Sequence, residues 1–156
     1  MKKIMLLIVT SVLFSMTFCV TTQDAAKRIE DSKPAADALR AGKFADAMNL
    51  SNKAIGRDGG NCHALLVRAI ARYAWAAQKL SADIGSMRFR RSRERGFDLN
   101  FLRNAVRRAN GDLALVESDL EKASRCADVF LDLAPAQWAI DWNGDGDIDG
   151  RDRALL

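Results

Sequence analysis

Apolar residues along most of the chain recur at helical spacing. One stripe predicts a helix over Phe44–Ile55, and a second predicts a helix over Asn61–Ser81, where Asn61 is suited to cap the N-terminus. The first stripe consists of Phe44, Ala47, Leu50, Ala54 and Ile55, and the second of Leu66, Ile70, Tyr73, Ala77 and Leu80. Beyond the first twenty or so residues, runs of β-branched residues are absent, so we expect an all-α fold.

The longest regular stripe lies between residues 98 and 134. Its members alternate three and four residues apart, and they are Leu99, Leu102, Val106, Ala109, Leu113, Val116, Leu120, Ala123, Ala127, Phe130 and Ala134. Because this phase continues through Asn110-Gly111, we expect one helix of about 36 residues, capped by Asp98 and ended by Pro135. The stripe packs either on the earlier helices or on another copy of the chain, and its small alanines favour the first.

The chain begins with a segment typical of an export signal, residues 1–19. Two lysines precede a mostly apolar stretch, Ile4–Phe18, which is short for a membrane-spanning helix. Met16–Cys19 resembles the lipobox of bacterial lipoproteins, which implies a lipid on Cys19. Ordinary secretion with cleavage near Cys19–Thr22 is the alternative. Both predict an exported protein of the cell envelope, and lipidation implies a periplasmic or outer-membrane lipoprotein.

Residues 20–33 are polar and are interpreted as a tether, with a short first helix over Thr21–Ser32 as the alternative. Pro34 is suited to the first position of a helix, so a short helix is predicted over Pro34–Arg40, followed by a turn at Gly42.

The segment Gly42–Ile55 resembles the turn and second helix of a tetratricopeptide repeat. Four residues match consensus positions of that repeat: Gly42, Phe44, Ala47 and Ala54. The resemblance covers one unit and implies antiparallel helical hairpins within a helical domain spanning residues 34–135.

The amino-acid composition gives little information about binding partners. The net charge is +4, and removal of Lys2 and Lys3 with the signal leaves 22 basic and 20 acidic residues, so no nucleic-acid partner is expected. An arginine-rich stretch, Arg88–Arg95, is expected in a solvated connection over Asp83–Gly96, with phosphate headgroups or an acidic protein as the alternative partner.

The cysteines and the single histidine are the remaining reactive side chains. If Cys19 carries lipid, Cys62 and Cys126 remain, an even number in an oxidising compartment. They form either a disulfide between two helices or two small buried thiols. His63 lies at a helix start and is expected to be exposed and structural. Because no catalytic motif accompanies it, we do not expect an enzyme.

The stretch Asp141–Asp152 carries the strongest functional signal. It places oxygen-bearing residues at alternate positions, as a loop curling round Ca²⁺ requires, and Gly146 allows the sharp turn. The predicted ligands are Asp141, Asn143, Asp145, Asp147 through its backbone carbonyl, Asp149 directly or through water, and Asp152.

This loop has EF-hand spacing and resembles the calcium repeat of dockerins. The matching residues are Asp141, Asn143, Asp145, Gly146, Ile148 and Asp152. A dockerin has two such repeats and this chain has one, so cohesin binding is not implied. Asp152 stands where an EF-hand usually has the longer Glu, which predicts modest affinity. Trp138 and Ile140 are expected to anchor the calcium-binding segment, residues 136–156, to the helical domain.

Together these features predict an exported, lipid-anchored, calcium-binding helical scaffold or protein-interaction module, with a protein partner. The alternative is an accessory subunit of an envelope transport or secretion system that holds a partner through its helical face.

Overall fold

The computed structural model describes residues 24–91, 99–126 and 129–133 together with Trp138, and for residues 87–91 it describes only the backbone. This part of the chain forms four α-helices and contains no strand, which confirms the all-α prediction for the described residues. The helices are α1 (24–40), α2 (Phe44–Arg57), α3 (Cys62–Arg91) and α4 (Leu99–Ala123).

Helix α1 is longer than the sequence indicated. The prediction of a helix start at Pro34 is wrong, because residues 24–33 are already helical and continue through Pro34. Proline removes one backbone donor from a helix. Here that cost is offset by burial of neighbouring residues, since Ala35, Ala36 and Leu39 are at most 2% exposed. The alternative of a helix within Thr21–Ser32 therefore agrees with the structure from residue 24 onwards.

The turn between α1 and α2 is closed by a Schellman motif. The Lys43 N–H donates to the Ala38 carbonyl and the Gly42 N–H donates to the Leu39 carbonyl, both at 2.9 Å. Gly42 has φ 70°, the left-handed conformation that glycine adopts without strain. Helix α2 then begins at Phe44 as predicted and buries Phe44, Ala47, Ser51 and Ala54.

Helix α3 begins where the sequence predicts and ends ten residues later than predicted. Asn61 caps it, because its Oδ1 accepts the Ala64 N–H at 2.9 Å. The connection predicted from Asp83 is helical as far as Arg91. This extension packs on α4, where Arg108 donates to Asp83 at 2.8 Å, so tertiary contact outweighs the weak local signal.

The face that α3 buries also differs from the predicted stripe. Tyr73 is 52% exposed, whereas the buried residues are mostly small: Cys62, Ala64, Leu65, Val67, Ala69, Ala71, Ala74, Ala76 and Gly85. Because α3 packs between α2 and α4, alanines on both sides allow close approach of the neighbouring helices.

Helix α4 has 25 residues and ends at Ala123, so the prediction of one helix of about 36 residues is wrong at its C-terminal end. It does continue through Asn110-Gly111, as the unbroken phase indicated. Its buried residues are Ala105, Val116, Asp119 and Ala123. The prediction holds for one half of the stripe, since Val116 and Ala123 are buried, whereas Val106, Leu113 and Leu120 of the other half remain exposed. The cause is Asp119, whose ion pairs with α3 fix the register.

The main core lies between α1, α2 and α3 and includes one residue beyond α4. Its members are Ala35, Ala36, Leu39, Phe44, Ala47, Val67, Ala71, Ala74 and Trp138. Leu131 and Leu133 pack against this cluster. Among the described helices, none is long and apolar enough to cross a membrane.

Candidate functional site

Trp138 is the described residue nearest in sequence to the predicted calcium loop. Its side chain is 8% exposed and meets the Phe44 ring edge-on, with ring centroids 5.2 Å apart and an interplanar angle of 82°. A methyl group added at Gly42 would lie 3.9 Å from Trp138 Cδ1, so the indole also contacts the α1–α2 turn. The expectation that Trp138 anchors this segment therefore agrees with the structure.

The segment before Trp138 is held against α1 and α3 by polar contacts as well. Arg40 Nε donates to the Asp132 carbonyl at 3.1 Å, and the backbone carbonyl of Phe130 accepts a hydrogen bond from His63. Residues 129–133 have no regular secondary structure, so these contacts and the packing of the partly buried Leu131 and Leu133 against the core fix their path. The chain after α4 thus returns along the first half of the fold.

The predicted metal ligands lie outside the described residues. They are Asp141, Asn143, Asp145, Asp147, Asp149 and Asp152, and Ile140 and Cys19 lie outside as well. Within the described ranges, no group of three or more His, Cys, Asp or Glu side chains could hold a metal ion. The calcium site and the lipid anchor stay predictions from the sequence.

The structure brings Cys62 and Cys126 together as a disulfide. The two residues are 64 positions apart, and their Cα atoms are separated by 6.3 Å. The bond joins the first residue of α3 to the turn that follows α4, so it closes both helices and everything between them into one loop. It also lines a small cavity of about 230 Å³ with Ala25, Arg28, Ile29, His63, Val129 and Phe130.

His63 is partly buried at the wall of this cavity, so the expectation of an exposed histidine is wrong. Its Nδ1 lies 2.6 Å from the Ser32 hydroxyl, and Ser32 itself is 0% exposed. Desolvation lowers the pKa of His63, the nearby Arg40 guanidinium lowers it further, and the hydrogen bond to the Phe130 carbonyl opposes both. Because Ser32 lies in α1 and His63 in α3, this buried contact links the two helices.

Stability is expected to decrease as the pH falls through about 6.5, because unfolded histidine titrates there and folded His63 titrates lower. The unfolded chain then binds more protons than the folded chain. Urea unfolding midpoints at pH 7.5 and 5.5 measure this, and His63→Gln should lose less stability between them. An equal loss in both proteins would assign the effect to other groups.

The α2–α3 turn is fixed by a contact that the sequence pattern did not reveal. Asp58 Oδ1 accepts the Gly60 N–H at 2.9 Å, and the Arg28 side chain of α1 donates to Asp58 Oδ2. The Gly60 N–H, and then the Arg28 side chain, lower the pKa of Asp58. Asp58-Gly59-Gly60 is a turn signal, but its partner in α1 could not be inferred without the fold.

A buried ion cluster joins α3 to α4. Asp119 Oδ1 accepts from Arg68 Nη2 at 2.6 Å, and its Oδ2 accepts from Arg68 Nε at 2.8 Å and from Arg72 Nη1 at 2.7 Å. The Arg68 Nη1 also donates to Asn52 Oδ1 of α2 at 2.7 Å. The Asp119 side chain is 4% exposed, so this network has a structural role within the helix packing.

Comparison of the chain with protein-family models, with curated proteins and with solved structures found no match.

Proposed function

We propose that the protein is an exported, lipid-anchored helical scaffold or protein-interaction module that binds one Ca²⁺ in the loop Asp141–Asp152. The ion fixes the C-terminal loop against the helical domain. The proposed role of calcium is structural: it completes the packing of the C-terminal segment and does not take part in catalysis.

The chemistry of the donor set supports calcium. Six residues with oxygen donors follow one another at the spacing that a calcium loop requires, and five of them are aspartates. Without a cation these carboxylates repel one another, because like charges a few ångströms apart oppose closure of the loop. A bound Ca²⁺ would remove that repulsion. The shorter Asp152 at the twelfth position lowers the expected affinity, which suits a compartment with ample calcium.

The observation that carries the structural role is the burial of Trp138. Trp138 lies three residues before Asp141 and packs on Phe44 and the Gly42 turn. Because Trp138 already holds one end of this segment against the core, docking the closed loop on the helical domain costs less conformational entropy than docking a free tail. Ordering of the loop by the ion then extends the contact that Trp138 already makes with the helical domain.

The α1–α2 pair is interpreted as a tetratricopeptide-like hairpin. Support comes from the Schellman turn at Gly42 and from burial of three residues at the matching positions, namely Phe44, Ala47 and Ala54. One such unit provides a packing surface, and α3 and α4 replace the further repeats that a true array would need.

Isothermal titration calorimetry tests the calcium site. The purified protein, in its oxidised form, is expected to bind one Ca²⁺ per chain. The double variant Asp141→Ala with Asp145→Ala should lose binding, because two side-chain ligands are removed. Asp147→Ala is the matched control: it also removes an acidic side chain from the loop, but Asp147 is expected to ligate through its backbone carbonyl. Absence of binding heat in the parent protein would remove the proposal.

Export and lipidation have a separate test. Mass spectrometry of the mature N-terminus from a bacterial host is expected to find cleavage before Cys19 and a mass increase for the attached lipid. An unmodified chain cleaved near Thr22 would indicate ordinary secretion, and a chain that retains Met1 would contradict export.

A further inference from the structure

Helix α4 leaves an apolar stripe outside the fold. Four of its residues recur at intervals of seven: Leu99, Val106, Leu113 and Leu120 are 64%, 44%, 43% and 42% exposed. The face that packs on α3 is adjacent to this stripe and is occupied by other residues. A soluble helix that is buried on one side rarely carries a second regular apolar stripe without a partner for it.

The edge of this stripe carries a charge pattern with the same period. Arg103, Asn110 and Glu117 each lie four residues after Leu99, Val106 and Leu113, so they share one side of the helix with the stripe. All three side chains are exposed, and none forms a hydrogen bond or an ion pair with any other described residue.

The apolar and charged positions on this face of α4 are complementary to the same face of a second copy that runs in the opposite direction. In order, the surface presents Leu99, Arg103, Val106, Asn110, Leu113, Glu117 and Leu120. Placed against an antiparallel copy of itself, this surface brings every apolar residue to an apolar residue. Arg103 then meets Glu117 of the second copy, Glu117 meets its Arg103, and Asn110 lies opposite its own counterpart.

We propose that this face of α4 is the interface of an antiparallel homodimer, with the two-fold axis beside Asn110. A two-fold interface uses the same surface on both copies, which a pattern complementary to its own reverse satisfies. A parallel pairing would oppose Arg103 to Arg103 and Glu117 to Glu117, and like charges in register are unfavourable. The second copy is therefore selected by charge as well as by apolar contact.

The surface extends beyond α4 at one end. Leu120 shares a groove with Leu66 of α3 and with Phe130, which is 79% exposed. The approximately 37 Å length of a 25-residue helix is small for a stable interface on its own, so we expect a dimer in the micromolar range. This inference does not depend on the calcium loop.

Sedimentation equilibrium of the full-length mature protein, at loading concentrations from about 1 to 500 µM, measures the association. We expect a monomer–dimer equilibrium. Arg103→Glu and Glu117→Arg should each weaken dimerisation at least about tenfold, because each creates two repulsive contacts, and the double variant should restore it. Lys122→Glu is the matched control, since it makes the same charge change as Arg103→Glu on an exposed helix position outside the stripe.

Cysteine cross-linking tests the orientation. Asn110→Cys is expected to form a disulfide between two copies under mild oxidation, whereas Arg103→Cys is not, because residue 103 lies opposite residue 117. Equal cross-linking of both variants would contradict the antiparallel arrangement. A protein that stays monomeric over the whole concentration range, as it would if its own C-terminal segment covered the stripe, would overturn the proposal. A dimer unaffected by charge reversal, or not restored in the double variant, would do the same.

Discussion

Replacing Asp119 with alanine is expected to lower the free energy of unfolding by about 3–5 kcal/mol, because a buried ion pair loses one partner. The side chains of Arg68 and Arg72 are only 16% and 17% exposed, so water cannot fully replace the carboxylate between them. Their two positive charges would then face each other with no anion. Urea unfolding monitored by circular dichroism measures the loss as a lower midpoint at an unchanged m-value.

The neighbouring ion pair of Glu121 provides the control for Asp119. Glu121 bonds to Arg125 at 3.0 Å, but both side chains are about 70% exposed. Glu121→Ala should therefore change the free energy of unfolding by less than about 0.5 kcal/mol. Similar losses in the two variants would mean that burial does not decide the strength of these pairs, and the account of the α3–α4 interface would be wrong.

Removal of the disulfide is expected to have the second large effect. The bond closes a loop of 64 residues, and the loss of chain entropy in the unfolded state predicts a stabilisation of about 4 kcal/mol. Cys62→Ala with Cys126→Ala should therefore unfold at a much lower urea concentration than the oxidised protein.

A reductant separates this effect from any change in packing. Dithiothreitol should lower the unfolding midpoint of the parent protein towards that of the double variant, and it should leave the double variant unchanged. A parent protein whose midpoint does not respond to the reductant would show that Cys62 and Cys126 are unbonded in solution.

Helix ends that depend on interactions within a few residues could be predicted from the sequence. Gly42, Phe44 and Asn61 mark a left-handed turn, a helix start and a helix cap, and the structure places each of them there. These positions can be predicted because each one satisfies the hydrogen bonds of backbone groups within a few residues.

Features that depend on contacts between residues far apart in the sequence could not be predicted from the sequence. The register of α4 is set by Asp119, whose burial is tolerable only because Arg68 and Arg72 lie on the facing helix. A stripe of large apolar residues is normally the buried face, but in α4 only part of the predicted stripe is buried, at Val116 and Ala123. Pro34 was likewise read from its usual position at a helix start, whereas its neighbours pack tightly enough to hold it inside α1.

In the candidate site as well, some features could be predicted from the sequence and others could not. Trp138 could be expected as an anchor because it is an apolar residue beside an acidic loop, and the structure gives its partners, Phe44 and the Gly42 turn. The contact of His63 with Ser32 joins residues 31 positions apart and left no pattern in the sequence. The calcium ligands are predicted from spacing alone, since consecutive loop residues carry all of the chemistry.

The stability of the purified, oxidised protein with and without Ca²⁺ measures whether the ion fixes the C-terminal loop on the helical domain. If the ion fixes the loop Asp141–Asp152 onto the domain held by Trp138, calcium at about 100 times its Kd should add about 2.7 kcal/mol to the free energy of unfolding. The thermal midpoint should then rise by several degrees relative to the protein in chelator. An unchanged midpoint at millimolar Ca²⁺ would contradict the proposal that calcium stabilises this fold.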